Sequence, residues 1–245
     1  MPPAQRKARP RTYDLAKTRT ALTAQLTHVR EAIASQDESK VAHTAQHITA
    51  SVNTVTRLLN RPAPAKRDLT AAQWAANAPE LAPDTEALDQ TALDQAARDL
   101  TEATTTAPGD RLLATPAGGI RLDDFLATRC VELVVLTHDL AAALGTEIPY
   151  DRQALATATR VLADALAVRA PGGAVEVRIP PFAVVQCVEG PRHTRGTPPG
   201  VVETDPLTWL RLATGRTGWA EAVESAAVTA SGERADLSAQ LPLLT

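Results

Sequence analysis

The stretch TPAGGIRLDDFLATRCVELVVLTHDLAAAL, from Thr115 to Leu144, joins a turn signal to a long apolar run. The short apolar arms RLLAT and IRL flank PAGG, which predicts a hairpin-like turn. A helix follows from about Leu122 to Leu144, and Gly145 sits where a C-terminal cap belongs. Arg129, Glu132 and Asp139 interrupt its apolar surface. At about 100° per residue, Asp139 lies about 20° and Arg129 about 60° from Glu132 around the axis, so the three form one stripe. Leu136, about 40° from Glu132, takes a further place in that stripe. His138 points away from it.

Working outward, three more long amphipathic helices are expected. Leu22, Leu26, Val29 and Ile33 recur at spacings of four and three between Tyr13 and Ser35. Val41, Ala45, Ile48, Val52, Val55 and Leu59 repeat the pattern after QDES. A proline-rich link from Arg61 to Pro83 contains LTAAQW, read as one short helical turn, and a third long helix runs from Asp84, its N-cap, to about Thr104. Four such helices predict a four-helix bundle.

The texture changes after Pro149, where a domain boundary is expected. A helix from about Arg152 to Val168 precedes Val175, Val177 and Ile179, which alternate with Glu176 and Arg178 as in a half-buried strand. PFAVVQCVEG and GVVET read as further strands. Asp205-Pro206 caps a helix over PLTWLRLATG that Gly215 closes; a helix near Trp219, a short strand at AAVTAS and a last helical turn near ADLSAQL follow. The expected architecture is multidomain: residues 1–12 a disordered basic tail, 13–148 an all-α four-helix bundle, and 149–245 an α+β domain.

Composition narrows the function classes. A net charge of -3 argues against nucleic acid as the main partner. No apolar run approaches the ~18 residues that a membrane span needs. The basic, Pro-rich start MPPAQRKARPRTYD lacks the apolar segment of a secretion signal, so a cytoplasmic location is expected. It reads as a solvated tail, with a phosphate-binding arm as the alternative. Cys130 and Cys187 both fall in apolar runs and read as buried thiols of a reducing compartment.

His43 and His47 lie one turn apart on the second helix. A bundle can aim such a histidine, with Glu and His from another helix, at one point, making an open divalent-metal site. Without a third partner, the pair reads as solvated or core-edge residues, and Arg129 with Glu132 as an ion pair that orients the bundle.

The segment Thr115–Leu144, with VAHTAQHITASV on the second helix, resembles the mycothiol-dependent maleylpyruvate isomerase family, whose N-terminal domain is a DinB-like bundle. The resemblance spans roughly residues 13–145. It implies that His47 and Glu132 match two metal ligands, that Asp139 matches the motif's aspartate, and that Leu136 stands where the family has its second histidine. Arg129 and Asp139 are the candidate catalytic groups. The implied site is incomplete at Leu136, with zinc held at reduced affinity or not at all; His43 or Asp139 directly are the substitute ligands. Mycothiol use follows from the resemblance alone.

VEVRIPPFAVVQCVEG together with DPLTWLRLATGRTGWAEAVESAAVTASGERADL is similar to the bacterial sterol-carrier family, over about residues 152–245. That implies a small sheet backed by helices around an apolar cavity. Trp209 and Trp219 are candidate lining residues, or members of a filled core. Between strands, Arg192, His193 and Arg195 gather positive charge on a Gly/Pro-rich loop, either as an anion contact or as a solvated turn paired with Glu189 or Glu203.

Three functions are therefore expected in turn. The first is an actinobacterial, cytoplasmic protein that binds a small hydrophobic or thiol-bearing molecule in a cleft lined by His47, Glu132 and Asp139. The second is an active, metal-dependent, mycothiol-using isomerase or transferase with an altered ligand set. The third is a protein-interaction scaffold.

Overall fold

The computed structural model describes residues 10–34, 36, 38–77, 90–190 and 200–244. Its first part is helical: α1 (Leu15–Ala34), α2 (Glu38–Leu59), α4 (Gln90–Thr106) and α5 (Leu122–Leu144) pack as a four-helix bundle, and the short α3 (Ala71–Asn77) lies against α5. The periodic residues of α1 make its core face: Leu22, Leu26, Val29 and Ile33 are all buried, as are Val41, Ile48, Val52 and Val55 of α2. The expected start of the third long helix at Asp84 lies outside the described residues, as does the tail before Pro10.

The PAGG turn is a β-hairpin, β1 (Leu112–Thr115) against β2 (Gly118–Arg121), with Thr115 paired to Gly118. A loop from α2 clasps it. The Asp68 and Leu69 N–H groups donate to the Gly119 carbonyl at 2.7 and 3.0 Å, and the Gly119 N–H donates to the Asp68 carboxylate at 2.8 Å. A Cβ on Gly119 would meet the Lys66 carbonyl oxygen at 2.2 Å, so this approach admits only glycine. The hairpin delivers the chain into α5, which Gly145 ends in the left-handed conformation (φ 62°).

The second part is a helix followed by a small mixed sheet. α6 (Arg152–Arg169) starts at the Asp151 N-cap, which accepts from Gln153 and Ala154 N–H groups. The strands β3 (Val175–Ile179), β4 (Ala183–Cys187), β5 (Gly200–Thr204) and β6 (Val228–Ser231) are ordered β4-β3-β5-β6, with β3 and β5 parallel. Val175, Val177 and Ile179 are buried while Glu176 and Arg178 pair on the other face at 2.7 Å, which is the alternation of the sequence. α7 (Pro206–Ala213) begins at Asp205, whose carboxylate accepts from Leu207 and Thr208 N–H groups; α8 (Trp219–Glu224) follows. Near ADLSAQL a single turn forms, Gln240 and Leu241 N–H donating to the Leu237 carbonyl.

α6 ties the two parts together. It packs on α1, α3 and α5 and also on β4 and α7. A helix enclosed from both sides must be apolar around most of its girth and slim, and Ala154, Ala156, Ala158, Ala163 and Ala165 are all buried. One apolar cluster accordingly runs from Val131 and Val135 of α5 through α6 to the sheet. Gln25 of α1, fully buried, fixes the link: its Nε2 donates to the Pro149 carbonyl (3.1 Å) and Thr137 Oγ1 (3.2 Å), and its Oε1 accepts from the Asp151 N–H (2.7 Å). Among the described residues no helix is long and apolar enough to cross a membrane.

Candidate functional site

The polar stripe of α5 divides along the helix axis. Glu132 lies inside the bundle, where Arg129 Nη1 approaches its Oε2 at 2.6 Å and Ser51 of α2 donates its hydroxyl to the same oxygen. Arg129 Nη1 also lies 3.4 Å from Ser51 Oγ. The guanidinium also lies over two aromatic rings, 4.4 Å from the Phe125 centroid and 5.4 Å from that of Trp74 on α3. Burial pulls the Arg129 pKa below its ordinary value and Glu132 pushes it back, leaving it a cation at neutral pH.

Leu136 faces this cluster. With Leu22, Ile48, Ser51, Val52, Arg129 and Leu133 it lines a void of about 10 Å³, room for one water at most. The position that the family resemblance assigns to a histidine is thus hydrocarbon against an occupied carboxylate. A divalent ion there would need Glu132 to release Arg129, and Leu136 brings no donor. Among the described residues, no group of three or more His, Cys, Asp or Glu side chains is placed to hold a metal ion. The donor set does not fit a three-ligand metal centre.

His43 and His47 meet each other, with ring centroids 4.4 Å apart. Burial, and then the charge of His43, lowers the pKa of His47. Asp139 is on the same stripe as Glu132 but two turns on, about 10 Å farther along the axis. There it reaches the second part of the chain: Arg216 grips it through Nε at 2.9 Å and Nη2 at 2.6 Å. Glu132 and Asp139 thus have different partners, Arg129 and Arg216, while the ring that His47 meets is that of His43. His138, its neighbour, has its pKa lowered by burial and by Arg211 and Arg216, against the pull of Asp139.

In the second part, Trp209 is buried in the core shared with α6, and its indole N–H has no hydrogen-bond partner among the described residues. Trp219 is half-buried against the same core. Arg192, His193 and Arg195 lie outside the described residues. Burial raises the thiol of Cys130 to about 12 and that of Cys187 to about 11, so neither is a nucleophile at neutral pH.

Sequence reasoning missed Ser51, Trp74 and Arg216. Ser51 had a signal, since it stands one turn beyond His47 on the face that looks at α5. Arg216 and Trp74 had none, because each arrives from a segment whose docking on α5 is tertiary.

Comparison with known proteins accords with this geometry. Residues 151–243 match the family described as Bacterial SCP ortholog. The crystal structure of the mycothiol-dependent maleylpyruvate isomerase is similar over 89% of this chain and 93% of that chain, with 17% identity and a TM-score of 0.53. A His-to-Ala variant of that isomerase is similar to the same extent, with TM-score 0.53 and 17% identity. No curated protein matches the sequence. At that identity the likeness is one of fold: the chain has the two-part architecture of the isomerase, and its C-terminal part matches the bacterial SCP family.

Proposed function

We propose that this chain is a small-molecule-binding protein in which an internal arginine supplies the positive charge that a metal ion supplies in a bundle metalloenzyme. The observation that carries this reading is the contact of Arg129 with Glu132 at 2.6 Å beside Leu136. A guanidinium fixed by a carboxylate, a hydroxyl and two rings neutralises Glu132 without any open coordination position. Such a group has no means of polarising a carbonyl as a Lewis acid does.

The ligand then belongs to the second part of the chain, and its class is hydrophobic. The match to the bacterial SCP family supports this, as does the unpaired indole N–H of Trp209. A buried donor without a partner costs roughly 1–3 kcal/mol, which an acceptor on a bound apolar molecule would recover.

The test has two arms. Protein purified without chelator is assayed for zinc by mass spectrometry, unmodified and as Leu136→His with Arg129→Gln. The expected result is no stoichiometric zinc in the unmodified protein and uptake by the variant. Nile red titration, followed by tryptophan quenching, should show saturable binding that Trp209→Phe weakens. Stoichiometric zinc in the unmodified protein, lost in His47→Ala, would overturn the reading. It would favour the second one, a mycothiol-using metalloenzyme with His43 and His47 as ligands. The pairing of those rings at 4.4 Å, with the His47 pKa lowered by burial, is the observation on that side.

A further inference from the structure

A cavity of about 160 Å³ opens at the start of α5, lined by Pro10, Arg11, Thr12, Arg67, Arg121, Asp123 and Asp124. In volume it exceeds the ~10–15 Å³ needed for one water more than tenfold. Its charges are layered. The carboxylates are buried, with side-chain exposure of 9% for Asp123 and 5% for Asp124. The arginines are the open layer, with side-chain exposure of 38% for Arg11, 36% for Arg67 and 34% for Arg121. Solvent therefore meets a cationic rim over an anionic floor.

The floor orients Arg121 and Arg67, and Asp164 of α6 orients Arg11. Arg121 binds Asp123 through Nε (3.0 Å) and Nη2 (2.6 Å). Arg67 binds the Leu69 carbonyl through Nε (3.0 Å) and Asp124 through Nη2 (2.6 Å). Arg11 binds Asp164 through Nε (2.8 Å) and Nη2 (3.2 Å). In all three cases the Nη1 amino group makes no hydrogen bond with any described residue. Three fixed guanidinium groups, each with one donor edge left over, surround one hollow. The first N–H groups of α5 play no part, because Leu122, Asp123 and Asp124 donate to Arg111 O, Gly109 O and Asp123 Oδ1.

We propose that this cavity binds the phosphate group of a small phosphorylated molecule. Three donors arriving from three segments suit a tetrahedral oxyanion, which offers three accessible oxygens; a carboxylate offers two. The pre-oriented guanidinium groups lose little freedom on binding, which is the general advantage of arginine for phosphate. Arg11, which precedes α1 and is held by Asp164 of α6, thereby contributes to a site. The proposal is independent of the reading of Arg129 and Glu132, which lie elsewhere on α5.

The test is titration of the full-length, 15N-labelled protein with inorganic phosphate at constant ionic strength, with acetate as the comparison. Saturable shifts of the Thr12, Asp123 and Asp124 amides are expected with phosphate and much weaker ones with acetate. Arg67→Ala and Arg121→Ala should each weaken phosphate about tenfold, the size of losing one charge-assisted hydrogen bond. Arg121→Lys, which keeps the charge against Asp123, should fold normally and still bind more weakly than the unmodified chain. No saturable shift, shifts confined to other residues, or equal affinity for acetate would each overturn the proposal.

Discussion

Arg129 and Glu132, one turn apart on α5, hold each other at 2.6 Å where the side chains are only 8% and 13% exposed. Removing one member of such a pair strands the other charge in the bundle, at about 3–5 kcal/mol. Replacing both with hydrocarbon removes that penalty. Arg129→Met should therefore lower unfolding stability by about that amount, and Arg129→Met with Glu132→Leu should recover most of it. Urea denaturation of the two variants decides the point; equal losses would mean that the pair is not an isolated buried charge couple.

The link between the two parts of the chain depends on Gln25 more than on the visible ion pair. Gln25→Leu leaves the Pro149 carbonyl and the Asp151 N–H without their partner. Pro149 is exposed and Asp151 half-buried, so water takes part of the lost role, and the loss should be on the order of 1–2 kcal/mol. Asp139 and Arg216 also bridge the two parts, but their side chains are 36% and 26% exposed. Asp139→Ala should cost under about 1 kcal/mol. Thermal melts that rank these variants in the reverse order would show that the electrostatic contact is the dominant clamp.

Much of this fold is legible in the sequence because its signals are local. The four-and-three spacing of Leu22, Leu26, Val29 and Ile33 and the caps at Gly145 and Asp205 are set within a few residues of themselves. The shared role of α6 is not of that kind. Its alanines suit an ordinary surface helix as well as one enclosed on both sides, and only the packing chooses. The same holds at the candidate site. Angular position placed Leu136 beside Glu132, and the structure has both near Ser51. The angle says nothing of axial distance, so Asp139 belongs to the stripe in projection and to Arg216 in space.

Stability should fall on mild acidification, and the histidines give the sign. Burial depresses the pKa of both His47 and His138 in the folded state. The unfolded chain therefore takes up protons first, as pH drops through the ordinary histidine value of about 6.5. The stabilisation is whole above that value and is lost as pH falls through the lowered, folded values. His138→Gln should flatten the pH dependence of the melting temperature across this range. The double variant with His47→Gln should flatten it further. An unchanged slope would mean that neither ring titrates abnormally.

The two thiols should be silent in the folded protein. Cys130 is buried in the bundle core and Cys187 in the core around the sheet. Burial holds their pKa values at about 12 and about 11, so almost no thiolate exists at mildly alkaline pH. Since the thiolate is the reacting form, an aromatic disulfide reagent should label neither residue until the chain opens. The labelling rate should then follow urea concentration together with the unfolding signal. Rapid labelling of one thiol under native conditions would reveal a local opening at that site. If both stay unreactive, any thiol chemistry of this protein must use a sulfur brought in by its ligand.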